Sequence, residues 1–140
     1  MASPQAYPQW VHFIITNSLR EDTIAIQNAY LIRGKFYQNG NKDDEIQPPD
    51  VDKIRTSSTG TGNVYSCGRQ AAAEGCEGGF EFHIEDGKKL GKIYFSCPWS
   101  GVYSNEVRKS EVADGYVVDI GDYPTGGALG IVTIKIAKLA

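Results

Sequence analysis

Apolar and polar residues alternate one for one along five separate stretches of the chain, and this period constrains the fold more than any other feature. In residues 10–16, Val11, Phe13 and Ile15 share one face, while Trp10, His12, Ile14 and Thr16 share the other. Ile24 and Ile26 alternate with Thr23, Ala25 and Gln27, and Phe80, Phe82 and Ile84 alternate with Glu81, His83 and Glu85. Tyr116, Val118 and Ile120 are spaced by Val117 and Asp119; Val132, Ile134 and Ile136 are spaced by Thr133, Lys135 and Ala137. Successive side chains of a strand point to opposite faces, so each run predicts a strand with one face on a core. No segment sustains the three-and-four spacing of a long helix, and residues 50–54 have room for at most a short helical turn.

Turn chemistry separates the runs. Asn39-Gly40-Asn41 and Asp86-Gly87 predict hairpins, because these residues tolerate positive φ. Pro48-Pro49-Asp50 and Thr59-Gly60-Thr61-Gly62 predict loops, and the acidic triplet Asp43-Asp44-Glu45 reads as a solvated turn. A chain of 140 residues is long enough to bury a core. The expected fold is all-β: one antiparallel β-sandwich domain over residues 1–140.

The charge balance narrows the partners. A formal net charge of −3 with no basic stripe argues against nucleic acid, whose phosphates demand cations, and against a polybasic membrane anchor. No apolar run is long enough to span a bilayer. The opening MASPQAYPQW has neither a basic nor an apolar signal region, so the expected location is the cytoplasm, or outside the cell without a classical signal peptide. Three cysteines, Cys67, Cys76 and Cys97, make a closed disulfide framework improbable. Pairing of Cys97 with Cys67 or Cys76 stays open, and buried free thiols are the expectation.

Residues suited to catalysis are scarce. His12 and His83 have no second ligand at metal spacing, so no metal and no cofactor are expected. There is no C-x-x-C, no nucleophile elbow and no phosphate-cradling glycine loop. Glu74 and Glu77 flank a small-residue stretch as a carboxylate pair suited to acid–base work, yet without partners they read as a solvated loop. The chain therefore binds rather than catalyses. Its aromatics say more. Tyr94 precedes Phe95-Ser96-Cys97-Pro98-Trp99, where Pro98 ends a strand and leaves Trp99 at a rim. Rim Trp and Tyr suit a membrane interface or a cationic headgroup, against the plainer reading that Trp10 and Trp99 only pack.

Five segments in order, AYPQWV (6–11), NKDDEI (41–46), SCGRQAAAEG (66–75), YFSCPW (94–99) and GALG (127–130), resemble the aegerolysin family across nearly the whole chain. The resemblance implies a β-sandwich that recognises membrane lipids, either sphingomyelin with cholesterol or ceramide phosphoethanolamine, in peripheral association with the bilayer. It also implies recruitment of a larger perforin-like partner to form a pore, with the chain itself a monomer or weak dimer. By the same resemblance Trp10, Tyr94 and Trp99 are aromatics of the lipid-contact surface, and Glu74 is the acidic residue tied to headgroup choice. A carboxylate accepts hydrogen bonds from a primary ammonium, and a quaternary one has none to donate. The chain departs from the family pattern at Arg33, where a tryptophan is common, at Gln70, Ala71 and Ser96, and at Val102, in a segment that usually carries a lysine. Arg33 is expected to favour a headgroup phosphate or another anionic lipid. The competing reading is a soluble carbohydrate- or protein-binding module that kept the fold; a hydrolase would need a base and nucleophile around Glu74 or His83, and none is visible.

Overall fold

The computed structural model describes residues 8–69, 74–100 and 102–139, which form two facing sheets. The first is built from β1 (Trp10–Asn17), β3 (Lys35–Gln38), β4 (Asn41–Ile46), β6 (Thr61–Cys67), β10 (Tyr116–Ile120) and β11 (Gly130–Lys138), in the order β10-β11-β1-β6-β3-β4. The second contains β2 (Ile24–Arg33), β5 (Arg55–Thr56), β7 (Cys76–Ile84), β8 (Lys89–Cys97) and β9 (Glu106–Ser110), in the order β5-β2-β7-β8-β9.

The period-two faces close on each other. Val11, Phe13 and Ile15 of β1 and Val132, Ile134 and Ile136 of β11 are fully buried against Phe80 and Phe82 of β7 and Phe95 of β8. The Phe13 ring stands edge-on to Phe80 and Phe95, with centroids 5.5 and 5.3 Å apart. Each such side chain contributes roughly 2–3 kcal/mol by leaving water. The β3–β4 hairpin turns on Asn39 (φ 59°) and Gly40 (φ 65°), two successive positive-φ residues, as the Asn-Gly pair requires.

The expected all-β sandwich is what the chain forms, its sheets built mostly of antiparallel pairs, with one parallel pair: β1 runs beside β11 from Val11 opposite Gly130 to Asn17 opposite Ile136. Alternation assigns the faces of a strand but not the direction of its neighbour. Pro48-Pro49-Asp50 is not a plain loop but opens the helix α1 (Pro48–Val51). Proline costs nothing in a first turn, where its missing N–H would have no partner, and the Gln47 N–H donates to Asp50 Oδ2 at 2.9 Å to cap the turn. Asp43-Asp44-Glu45 lies on β4, paired only with β3 at the sheet edge, and is not a turn. An edge strand carries charge without burying it and so resists pairing with another chain.

Candidate functional site

Gly34 sets the site up. It follows β2 at φ 82° and lets the chain cross from the second sheet to the first; a Cβ there would stand 2.6 Å from the Cys67 carbonyl oxygen and 2.9 Å from Cys76 Cβ. The crossing leaves Arg33 at the end of β2, opposite Glu77 on β7. Arg33 Nε donates to Glu77 Oε1 at 3.0 Å. On the other side of β7, Tyr94 donates its hydroxyl to Glu77 Oε2. One carboxylate thus holds two strands' side chains at once. The Arg108 guanidinium of β9 lies 4.7 Å from the Tyr94 ring centroid and 3.4 Å from the Glu106 carboxylate.

A second tight contact positions Glu74 and Trp99. A Cβ on Gly75 would fall 1.9 Å from the Cys97 carbonyl oxygen and 2.9 Å from the Trp99 nitrogen. A Cβ on Gly68 would fall 2.2 Å from the Glu74 carbonyl oxygen. Only glycine fits at either place, so the backbone before β7 lies directly on the backbone after β8. The Gln9 side chain amide donates to the Pro98 carbonyl and ties the same segment to the start of β1.

These elements enclose an open cavity of about 550 Å³ whose walls include Arg33, Glu74, Glu77, Tyr94, Trp99 and Tyr103. Glu106 also lines it, so three carboxylates stand at the cavity, with Arg33 paired to Glu77 and Arg108 paired to Glu106. Trp99 is 47% exposed and Tyr103 70%; Val102 between them is 84% exposed. Burial first, and then the hydrogen bond to the Glu77 carboxylate, push the Tyr94 phenol above its ordinary value. The arrangement can meet a cation with carboxylates and a ring face, and an anion with the guanidinium of Arg33.

Of the five residues singled out from the sequence, Arg33, Glu74, Tyr94 and Trp99 share this cavity. Trp10 does not line it. It belongs to the outer face of the first sheet, packed with Tyr37, Cys67 and Tyr65, and Lys42 Nζ lies 5.0 Å from its ring centroid. Glu77 is the main correction: it is a strand residue at the centre of the site, not part of a solvated loop. Stepping back by twos from Phe82 and Phe80 to Gly78 and Cys76 turns Glu77 outward, a signal the glycines conceal. Tyr103 and Glu106 carried no comparable spacing. Ser96 lines the cavity and Val102 stands beside it, whereas Gln70 and Ala71 lie outside the described residues. His12 is hydrogen-bonded to Asn63 at 2.8 Å and stacked on Tyr65, and His83 is bonded to Glu81 at 2.8 Å; neither lines the cavity. The three cysteines are free and buried.

The sequence profile of the aegerolysin family matches residues 8–139. Asp-hemolysin of Aspergillus fumigatus is 40% identical over 139 residues, 99% of each chain. Aegerolysin Aa-Pri1 of Cyclocybe aegerita is 32% identical over 136 residues, 96% of this chain and 93% of that protein. Among solved structures, RahU protein in complex with Tris superposes with a TM-score of 0.89 at 29% identity, covering 96% of this chain and 98% of RahU.

Proposed function

The chain belongs to the aegerolysin family, and from that premise we propose that it binds membrane lipids, taking a sphingolipid-type headgroup into the cavity around Glu77. One observation carries this reading: the Glu77 carboxylate lies between Arg33 and Tyr94 in an acidic, aromatic-walled cavity with exposed apolar residues at its lip. A headgroup ammonium gains from Glu74, Glu77 and Glu106 and from the face of Trp99. The headgroup phosphate gains from Arg33, whose guanidinium keeps further donors beyond the Nε bonded to Glu77. Trp99, Val102 and Tyr103 then enter the interfacial layer, so that association is peripheral. The name of one relative, Asp-hemolysin, supports a membrane target.

Two headgroup chemistries fit the class. Sphingomyelin presents a quaternary ammonium, which only ring faces and net charge attract; ceramide phosphoethanolamine presents a primary one, which the carboxylates also accept hydrogen bonds from. The three carboxylates favour the primary ammonium. Any pore needs a second, perforin-like chain in this reading, with the present chain, as monomer or weak dimer, supplying recognition. No helix among the described residues is long and apolar enough to cross a membrane.

Co-sedimentation with phosphatidylcholine vesicles carrying ceramide phosphoethanolamine, or sphingomyelin and cholesterol, tests the reading. The expected result is binding to a sphingolipid vesicle, strongest with the primary ammonium, and none to phosphatidylcholine alone. Absence from every vesicle, together with saturable binding to a glycan or a soluble protein, would replace it with the competing module.

A further inference from the structure

Cys76 and Cys97 are direct partners across the β7–β8 ladder, and both are fully buried. The Cys97 thiol donates to the Gly127 carbonyl oxygen at 3.5 Å, with the Cys76 side chain beside it across the ladder. Cys67 is placed differently: it lies in the small cluster with Tyr37, Trp10 and Tyr65 on the first sheet. Direct partners in an antiparallel ladder have Cα atoms about 4.5–5.5 Å apart, inside the roughly 4.4–6.8 Å window of a disulfide. Their Cβ atoms, about 4.5–5.5 Å apart in such pairs, need to close by no more than about 1 Å to reach bonding range. A cross-strand bridge made this way carries some strain, and strained bridges are readily reduced.

We infer that Cys76 and Cys97 form an oxidation site, a buried dithiol that hydrogen peroxide converts to a reversible cross-strand disulfide. The two sulfurs divide the work. The neighbouring Cys76 side chain holds the Cys97 thiol below its ordinary value, and the contact with Cys97, together with burial, holds Cys76 above its own. The Cys97 thiolate attacks one peroxide oxygen; the O–O bond breaks, hydroxide leaves and takes up a proton as water, and Cys97 becomes a sulfenic acid. The Cys76 sulfur then attacks the Cys97 sulfur. The S–S bond forms, the S–O bond breaks, and hydroxide leaves with the Cys76 proton as a second water. Two thiols lose two electrons and one peroxide gains them. Glu74 and Gly75 immediately precede Cys76, and Pro98 and Trp99 immediately follow Cys97, so the bridge joins the two strands that carry opposite walls of the cavity. The site does not depend on what the cavity binds.

The test is peroxide treatment of the full chain, removal of the oxidant with catalase, unfolding in guanidinium with iodoacetamide, and mass spectrometry of the non-reduced digest. The three free thiols of the untreated chain should fall to a single alkylatable one, Cys67, with a peptide joining Cys76 to Cys97 that dithiothreitol separates. Cys67→Ser should leave the cross-linked peptide unchanged. Persistence of all three alkylatable thiols, a bridge that includes Cys67, or sulfinic acid at Cys97 without a bridge would each overturn the proposal. The peptide map of the unsubstituted chain decides the matter even where Cys67→Ser folds poorly.

Discussion

Arg33 Nε stands 3.0 Å from Glu77 Oε1 across the β2–β7 ladder, and the two side chains are unequally wet, Arg33 53% exposed and Glu77 17%. Water screens the guanidinium, so the pair contributes little to folding; exposed pairs are worth roughly 0.2–1 kcal/mol. A double-mutant cycle of Arg33→Met and Glu77→Gln, read by urea unfolding, should return a coupling of about 1 kcal/mol or less. Vesicle binding should respond more strongly. Glu77→Gln keeps the shape but removes the charge that attracts the ammonium, and should weaken binding by roughly tenfold, the equivalent of about 1.4 kcal/mol. A large loss of stability with unchanged binding would make the pair a structural strut.

The same contrast marks how far the sequence carries. The core faces of β1, β7 and β11 were legible because Val11, Phe13, Ile15, Phe80, Phe82, Val132, Ile134 and Ile136 differ sharply in polarity from their neighbours. The strand at Glu77 was not, because Gly78 and Gly79 have no side chains to mark a face. The parallel direction of β11 beside β1 was hidden for another reason: partner choice is settled by the whole sandwich and not by either segment. Trp10 and Trp99 look alike in sequence as aromatics at strand ends. Only the assignment of Trp10 to the first sheet and Trp99 to the end of β8 in the second separates them.

Tyr94 reports on Glu77 through its own proton. Burial and the neighbouring carboxylate raise its folded-state value above the unfolded one, about 10. Its contribution to stability is therefore fully present below about pH 10 and is lost as pH rises through the raised folded value. Ring-labelled tyrosine followed by NMR should place the Tyr94 transition above that of an unfolded tyrosine. Glu77→Gln should move it downward, since it removes the acceptor charge. An unmoved transition would mean that the hydroxyl does not rest on Glu77 in solution.

Gly75 tests the backbone contact that aligns Glu74 with Trp99. An alanine Cβ would enter the Cys97 carbonyl, which is backbone and has no rotamer to give. Gly75→Ala should cost about 3 kcal/mol or more and lower Tm by circular dichroism accordingly. Gly115→Ala is the control: no atom lies within 4 Å of its Cβ position, and its positive φ alone should cost only about 1 kcal/mol. Equal effects at the two positions would deny the contact its role.

The two tryptophans allow the membrane-facing surface to be located directly. Trp10→Phe leaves Trp99, at the cavity lip, as the fluorophore, and Trp99→Phe leaves Trp10, packed against Tyr37 and Cys67 on the first sheet. Each variant is mixed with vesicles of the sphingolipid composition that binds, prepared with and without brominated acyl chains. Bromine quenching of Trp99 and not of Trp10 is the expected result, because the headgroup cavity and its exposed rim enter the lipid interface together. Quenching confined to Trp10, or equal fluorescence of Trp99 with and without bromine in vesicles that retain the protein, would contradict the assignment of this cavity to lipid.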